Sequence, residues 1–256
     1  MRKSQFSLDG KVAIVTGGSR GIGQAIAEGY AEMGARVVLA SRKAEALEEV
    51  RKGIETAGGE AFVIPTHMGD MEGINRLVQG TLDKYGTIDI LVNNAATNPI
   101  FCGTGEVEEP AFEKIMEVNV KGLFFLTQQV GKVMCDKGYG AVINVSSEAA
   151  FCPPPFLGVY SVSKAAVNML TKVFAQEWGP KGVRVNAIAP GLVKTHFSQA
   201  LWGNEAILQA ALTSIPLGRM AEPEEMVGLA IFLASDASRY ITGQVVLIDG
   251  GREISS

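Results

Sequence analysis

Short apolar runs alternate along the chain with longer segments in which apolar residues recur every three or four positions. The short runs predict β-strands, because strands buried on both faces of a sheet consist of nearly continuous apolar residues. The predicted strands span residues 11–16, 36–40, 61–65, 88–92, 141–145, 184–188 and 245–248. The segments between them predict helices. The expected fold is α/β: a doubly wound parallel sheet of about seven strands with helices on both faces.

Two of the predicted helices, at 111–135 and 157–178, are apolar almost all round. A helix that covers one face of a sheet needs only one apolar stripe. The surplus predicts a second buried contact, and therefore a homo-oligomer. The stretch at about 192–215 has no clear period and predicts an irregular lid over a substrate. No linker, repeat or low-complexity tract interrupts the alternation, which predicts a single domain over residues 1–256.

Composition narrows the possible partners. Hydrophobic residues make up 47% and charged residues 20%, as in an ordinary globular protein. A net charge of −4 gives no basic stripe for a phosphate backbone, so we expect no nucleic-acid partner. The three cysteines lack metal-ligand spacing, which predicts no metal site and favours a reducing compartment. The chain has neither a signal-peptide pattern nor a membrane span, so we expect a cytoplasmic protein without a membrane partner.

A glycine-rich turn follows the first predicted strand and precedes a helix. Its residues are Gly17, Gly18, Ser19, Arg20, Gly21, Ile22 and Gly23. Glycines let the backbone approach a pyrophosphate, and the N-terminus of the helix offers free N–H groups. The turn could be a tight connection only, but its place after the first strand favours a nucleotide site.

The second predicted strand ends in Ser41, Arg42 and Lys43. In dinucleotide folds an acidic residue here binds the ribose 2′-hydroxyl, whereas an arginine accommodates a 2′-phosphate. No acidic residue is present, which predicts NADP(H) as the cofactor. The alternative is that these cations begin a solvated helix.

Tyr160 and Lys164 lie four residues apart in a predicted helix, with Ser147 at the end of the preceding strand. Side chains at this spacing share one helix face. An ammonium beside the phenol is expected to lower the pKa of Tyr160 and make it a usable proton donor. Ser147 could hydrogen-bond the same substrate oxygen. The alternative is a buried tyrosine and a surface lysine at a common helical spacing.

Taken in order, these motifs resemble the short-chain dehydrogenase/reductase family in its compact single-domain branch. The resemblance covers nearly the whole chain, from the turn at 16–23 through Asn93-Asn94-Ala95-Ala96 to Pro190-Gly191. It implies one Rossmann-type domain that is both dinucleotide-binding and catalytic. It also implies a catalytic set of Asn119, Ser147, Tyr160 and Lys164, in which the Asn119 carbonyl holds the lysine through water.

The resemblance further implies a set of cofactor contacts beyond the glycine turn and the end of the second strand. They are His67, Met68, Asn93, Ala95, Tyr160, Lys164, Pro190, Gly191, Val193 and Thr195. A backbone group of Val193 and the Thr195 hydroxyl would orient the nicotinamide carboxamide. His67 stands where the family often has an aspartate near the adenine.

The function expected from the resemblance is reversible, NADPH-dependent reduction of a ketone or aldehyde, with Tyr160 as the general acid. An alternative is reduction of 3-oxoacyl groups on an acyl carrier protein, and a distant one is a non-catalytic NADP(H) sensor. The family resemblance also implies a homotetramer. A small apolar carbonyl or alcohol substrate is expected from apolar residues in the segments predicted to border the nicotinamide, namely Ile100, Phe101, Phe151, Pro153, Pro154, Pro155, Phe156, Leu157, Leu192, Phe197, Leu201 and Trp202.

Overall fold

The computed structural model describes residues 5–203 and 205–253. The described strands form one parallel sheet in the order β3-β2-β1-β4-β5-β6-β7. They are β1 (Val12–Thr16), β2 (Arg36–Ala40), β3 (Glu60–Val63), β4 (Ile90–Asn93), β5 (Gly140–Val145), β6 (Val183–Pro190) and β7 (Val245–Ile248). This confirms the predicted seven-stranded parallel sheet of Rossmann type.

Helices cover both faces of the sheet. The helices of the described residues are α1 (Gly21–Glu32), α2 (Ala44–Thr56), α3 (Met71–Tyr85), α4 (Glu109–Met116), α5 (Leu123–Lys137), α6 (Gly158–Trp178), α7 (Gln199–Trp202), α8 (Glu205–Leu212) and α9 (Val227–Ala234). One core cluster joins the sheet to α1, α2 and α9, and the other joins it to α3, α5 and α6. Alternate residues of β1 enter opposite clusters, as the two-residue period of a strand requires.

The strand order reverses between β1 and β4, which are neighbours in the sheet although β2 and β3 separate them in the chain. In open parallel sheets, ligands bind beyond the carboxyl ends of the strands at such a point. The glycine turn follows β1 and the Asn93-Asn94 pair lies at the end of β4. The fold therefore brings both motifs to one edge.

The helix predicted at 111–135 is interrupted by a π-helical turn over Glu117–Gly122. A Cβ at Gly122 would overlap the Met68 carbonyl oxygen, so this turn sits unusually close to a neighbouring backbone. The Asn119 side chain, which belongs to this turn, hydrogen-bonds Thr97 and Ser163. One extra residue in a turn hardly changes an apolar pattern, so periodicity could not reveal it.

The lid predicted to be irregular contains α7 and α8. Residues of high helix propensity, Glu, Ala, Leu and Gln, dominate both short helices. Within the described part of the chain, no helix is long and apolar enough to span a bilayer. The same residues contain no cluster of three or more His, Cys, Asp or Glu side chains that could hold a metal ion.

Candidate active site

Ser147, Tyr160 and Lys164 meet where β5 ends and α6 begins. The Ser147 hydroxyl accepts a hydrogen bond from the Ala149 N–H at 3.2 Å, which begins a short 3-10 turn. Tyr160 and Lys164 are only 8% and 3% exposed. The Ser147 hydroxyl also hydrogen-bonds the Tyr160 phenol and thereby lowers its pKa. The structure thus brings these three predicted residues together, with Tyr160 and Lys164 buried and Ser147 half-buried.

The Lys164 ammonium is bound to the strand and not to the phenol. Its Nζ donates to the Val145 carbonyl at 2.7 Å and lies 5.7 Å from the centre of the Tyr160 ring. The Ser146 hydroxyl donates to the Lys164 carbonyl at 3.3 Å, so two contacts tie this helical turn to β5. Burial lowers the pKa of Lys164 to about 8, because a desolvated ammonium loses its hydration.

The pKa of Tyr160 moves opposite to the expectation from the sequence. Burial raises it to about 12; the hydrogen bond with Ser147 lowers it, and the negative charge of Glu148 raises it. The predicted lowering was wrong, because Lys164 is engaged with Val145 and desolvation disfavours the phenolate. Tyr160 is therefore protonated at neutral pH and can act as a donor.

Asn119 lies in the π-helical turn and is 1% exposed. Its Oδ1 accepts from the Thr97 N–H at 2.8 Å, and its Nδ2 donates to the Thr97 carbonyl and to the Ser163 hydroxyl, each at 3.0 Å. Ser163 donates to the Tyr160 carbonyl at 2.7 Å. The Asn119 side chain therefore ties the segment after β4 to the turn of α6 that carries Tyr160. The role expected for its carbonyl toward Lys164 stays a prediction.

A row of buried amides and hydroxyls beneath the site was missed at the sequence level. The Asn93 Nδ2 donates to the Thr127 hydroxyl at 2.8 Å and to the Asn144 Oδ1 at 2.9 Å. Asn144 donates onward to the Thr171 hydroxyl on α6 at 2.8 Å. Both amide protons of Asn93 are thus used inside the protein, whereas its buried Oδ1 has no hydrogen-bond partner among the described residues. The available signal was an asparagine at paired positions of two apolar strands, Asn93 and Asn144.

The glycine turn is held against the end of β4 by Thr16 and Asn94, which lie in the predicted motifs but were assigned no individual role there. The Thr16 hydroxyl accepts from the Asn94 and Ala95 N–H groups at 3.0 and 3.1 Å. The Asn94 Nδ2 donates to the Thr16 and Gly17 carbonyls at 3.0 and 3.3 Å. A Cβ at Gly23 would overlap the Gly17 carbonyl. Side chains are therefore excluded where the turn folds onto itself.

The first turn of α1 has no side-chain cap. Arg20, at the N-cap, has an extended backbone and its side chain makes no capping hydrogen bond. Arg20 is exposed, whereas Ser19, Gly21 and Ile22 are half-buried. Uncapped N–H groups beside a glycine turn suit a phosphate, because they combine free donors with the positive end of the helix dipole.

A buried hydroxyl and exposed cations lie together past the end of β2. The Ser41 Oγ is buried and has no hydrogen-bond partner among the described residues. The pKa of His67 is lowered by burial and by the charges of Lys114 and Arg42, which places both cations near the imidazole. The Lys114 Nζ lies 3.4 Å from the His67 Nε2 and 3.0 Å from the Glu117 Oε2, and Met68 packs in the core. Of these groups, the Ser41 hydroxyl and the exposed Arg42 guanidinium are the donors that fit a 2′-phosphate.

The segment after β6 runs beside this cleft. Pro190 ends β6, and the Gly191 N–H donates to the Ile248 carbonyl at 2.9 Å. Val193 is buried and forms a bridge with Ala221. These backbone contacts fix the start of the lid to the sheet.

Ser198, missed at the sequence level, organises the base of the lid. Its hydroxyl donates to the Val193 carbonyl at 2.5 Å and accepts from the Thr195 N–H at 3.1 Å. The Trp202 indole N–H donates to the Thr195 carbonyl at 3.0 Å. A Cβ at Gly21 would lie 3.2 Å from the Thr195 Cγ2, so Thr195 faces the glycine turn. The predicted carboxamide contacts are therefore held together by the first turn of the lid.

The apolar residues that were predicted to border the nicotinamide lie in two places, one beside Tyr160 and one in a groove beside α4 and α6. The Phe197 ring lies 5.5 Å from the Tyr160 ring and is 52% exposed, so it forms a wall beside the Tyr160 phenol. Phe101 and Phe156 pair at 5.3 Å. Residues 151 and 153–156 line a groove of about 1020 Å³ beside α4 and α6, together with Phe112 and Val162. Neither Ser147 nor Tyr160 lines that groove, although Ala149 and Val159 do, so this part of the expected substrate lining lies beside the candidate site.

Known proteins resemble the chain over nearly its full length. A sequence-family model described as enoyl-(acyl carrier protein) reductase matches residues 17–253. Dehydrogenase/reductase SDR family member 4 of Oryctolagus cuniculus is 42% identical over 244 residues, covering 95% of this chain and 94% of that protein. The gluconate 5-dehydrogenase of Burkholderia cenocepacia, solved with NADP and tartrate, gives a TM-score of 0.95 at 32% identity over 99% of each chain. A short-chain type dehydrogenase/reductase from Mycobacterium marinum gives 0.92 at 36% identity over 97% of this chain and 98% of that one.

Proposed function

This chain belongs to the short-chain dehydrogenase/reductase family, and from that premise we propose that it reduces a ketone or aldehyde reversibly with NADPH. The observation that carries the proposal is the buried meeting of Ser147, Tyr160 and Lys164 at the carboxyl end of β5. A non-catalytic sensor has no need of a buried acid with a hydrogen-bonded serine beside it. We also take residues 1–256 as one catalytic domain, since the site draws on residues far apart in the sequence.

In the proposed mechanism, Tyr160 donates the proton that the substrate oxygen acquires, and Ser147 hydrogen-bonds the same oxygen as its negative charge grows. Lys164 restores the proton on Tyr160 and binds the nicotinamide ribose. When bound, the nicotinamide supplies the hydride. The raised pKa of Tyr160 keeps the acid protonated before reaction. Asn119 positions the turn through Ser163.

We propose NADP(H) as the cofactor, held by the glycine turn and α1 at its phosphates and by Ser41 and Arg42 at its 2′-phosphate. The unpartnered Ser41 hydroxyl and the cations near His67 support this choice. A relative of this chain, the gluconate 5-dehydrogenase of Burkholderia cenocepacia, was solved with NADP. Thr195, Val193 and the segment from Pro190 would orient the carboxamide.

We propose a small apolar ketone as the substrate, because the exposed Phe197 ring flanks Tyr160. An apolar substrate gains about 25 cal/mol for each Å² that it buries. The second candidate is a sugar acid of the gluconate type, favoured by the name of the solved relative. The third is a 3-oxoacyl thioester on an acyl carrier protein, which the description of the matching family model favours.

The exposed apolar groove beside α4 and α6 supports self-association, which we propose to be a homotetramer. Phe112, Val162 and Met169 are 45%, 57% and 59% exposed on these helices. Contiguous exposed apolar surface of this kind often marks an interface. Cys102, Cys135 and Cys152 are all free thiols, which supports a reducing, cytoplasmic location.

The reaction is tested with Tyr160→Phe. Removing the acid should lower kcat by about 10²-fold or more while NADPH binding, followed by fluorescence, persists. Tyr240→Phe is the matched control, because Tyr240 is fully exposed, and it should keep the parent kcat. Near-normal turnover by Tyr160→Phe would remove this tyrosine from the mechanism.

The substrate is tested by comparing kcat/KM for an aryl ketone, a keto acid derived from gluconate and an acetoacetyl thioester. We expect the aryl ketone to be preferred, and Phe197→Ala to reduce its kcat/KM more than that of the keto acid. A parent that prefers the keto acid or the thioester contradicts the apolar assignment and selects the corresponding alternative.

A further inference from the structure

Glu148 directly follows the catalytic serine and is almost enclosed. Its side chain is 13% exposed, and its Oε1 accepts a hydrogen bond from the Arg252 Nη1 in an ion pair. Its Oε2 is buried and has no hydrogen-bond partner among the described residues. A carboxylate so placed is stabilised mainly by its single guanidinium, because burial removes most of its hydration.

Arg252 belongs to a turn that follows β7, the last strand. The Asp249 carboxylate holds this turn by accepting from the Gly251 and Glu253 N–H groups at 2.9 and 2.8 Å. Arg252 and Glu148 are 104 residues apart in the chain. The ion pair therefore joins the turn after β5 to the turn after β7.

Gly191, at the end of β6, lies between these two turns. A Cβ on this residue would stand 2.8 Å from the Glu148 Oε2 and 2.7 Å from the Asp249 Cα. Contacts under 3.0 Å of this kind require something to move. The absence of a side chain at Gly191 thus leaves room for the Glu148 carboxylate, which is a second reason for glycine there besides the expected cofactor contact.

We propose that Glu148 and Arg252 are positioning residues for the reaction, which lock the Ser147 turn so that its hydroxyl and the Tyr160 phenol face the same substrate oxygen. The inference rests on the proposed function. Ser147 and Glu148 are adjacent, so freeing the carboxylate lets the turn that carries the serine move. A displacement of about 1 Å in such a constellation costs up to about 10²-fold in rate.

The ion pair also sets the electrostatics of the acid. The charged and titratable groups facing the Glu148 carboxyl are Arg252 and Asp249 on the C-terminal turn and Tyr160 on α6. Burial raises the pKa of Glu148; the Arg252 charge lowers it and the Asp249 charge raises it. The Glu148 charge raises the pKa of Tyr160. Removing that charge should make the Tyr160 proton easier to lose.

The test compares Arg252→Gln, Arg252→Lys and Glu148→Gln with the parent enzyme. Arg252→Gln should lower kcat about tenfold or more with the dissociation constant for NADPH unchanged within about twofold, and Arg252→Lys should recover part of the loss. In Glu148→Gln, the rise of alcohol oxidation with pH should shift to lower pH. The double variant should be no slower than the slower single variant, because the two residues act as one unit.

Arg51→Gln is the matched control, since Arg51 has the same 29% side-chain exposure and pairs with acidic residues on α2. It should keep the parent kcat. An Arg252→Gln enzyme with parent kcat and pH profile, and only a lower melting temperature, overturns the proposal. Tyr160→Phe is assayed alongside. If Tyr160→Phe is inactive while Arg252→Gln keeps the parent kcat and pH profile, only the positioning role is overturned. An active Tyr160→Phe overturns the proposed function as well.

Discussion

Replacing Lys164 with methionine should abolish activity and change how the stability of the protein depends on pH. The Lys164 ammonium is 3% exposed, and its one hydrogen bond to a described residue goes to the Val145 carbonyl. Methionine has a similar length and carries no charge. The variant therefore removes a desolvated cation while it preserves most of the packing of α6 on β5.

The size of the effect follows from the pKa of Lys164, which falls from 10.5 to about 8 on burial. A group whose folded pKa lies below its unfolded pKa binds fewer protons when folded, so the free energy of unfolding rises with pH between the two values. Below pH 8, where Lys164 is protonated in both the folded and the unfolded state, burial of the ammonium lowers the free energy of unfolding by its full amount. Linkage gives a cost of about 3 kcal/mol at pH 7 and about 1 kcal/mol at pH 10. The parent should therefore gain about 2 kcal/mol over this interval that Lys164→Met does not gain.

The measurement is urea unfolding of the parent and of Lys164→Met at intervals between pH 7 and 10. Other titrating groups are common to both proteins and cancel in the difference. Lys172→Met is the matched control, since Lys172 lies on the same helix but is exposed, and it should follow the parent curve. Parallel curves for the parent and Lys164→Met would refute the reasoning, because they would mean that water reaches the ammonium.

Three further changes test the cofactor site and the assembly. Gly23→Ala should weaken NADPH binding about tenfold or more, because its Cβ overlaps the glycine turn. Gly53→Ala is the control and should bind NADPH like the parent, because a Cβ there meets open space. Equal binding by both variants would contradict the assignment of the glycine turn to the cofactor. Ser41→Asp should move the ratio of kcat/KM toward NADH, since its charge repels a 2′-phosphate, and an unchanged ratio would argue against Ser41. Light scattering of the parent should give the mass of a tetramer at micromolar concentration. Met169→Glu should give a smaller mass, because Met169 is exposed on α6 and the variant places a charge on this apolar surface. A monomeric parent would contradict the proposed self-association.

The strands could be predicted because most of them are buried apolar runs whose composition allows few other structures. The strands predicted at 36–40 and 245–248 coincide with β2 (Arg36–Ala40) and β7 (Val245–Ile248). The place of the site followed as well, because parallel strands point their carboxyl ends to one edge. The edge strand β7 is only half-buried, but its apolar run Val-Val-Leu-Ile was sufficient to predict a strand there.

The contacts within the site could not be predicted in the same way, because they depend on partners distant in sequence. The spacing of Tyr160 and Lys164 was right, yet the ammonium turns toward Val145, a carbonyl that no periodicity identifies. The ion pair of Glu148 with Arg252 spans 104 residues, and neither residue belongs to a recognisable motif. A helical pattern likewise gives no sign that one turn, at Asn119, is π-helical.

Burial acts in opposite directions on the two groups that the proposed mechanism couples. It raises the pKa of Tyr160 to about 12 and lowers the pKa of Lys164 to about 8, because burial disfavours the charged form of each group, the phenolate and the ammonium. The phenol is thus held protonated while the ammonium becomes the more readily deprotonated of the two. In the direction of reduction this order is useful, because the acid already carries its proton and Lys164 can resupply it. In the direction of oxidation Tyr160 must lose that proton first, so under the proposed mechanism alcohol oxidation should become faster as the pH rises toward the pKa of Tyr160.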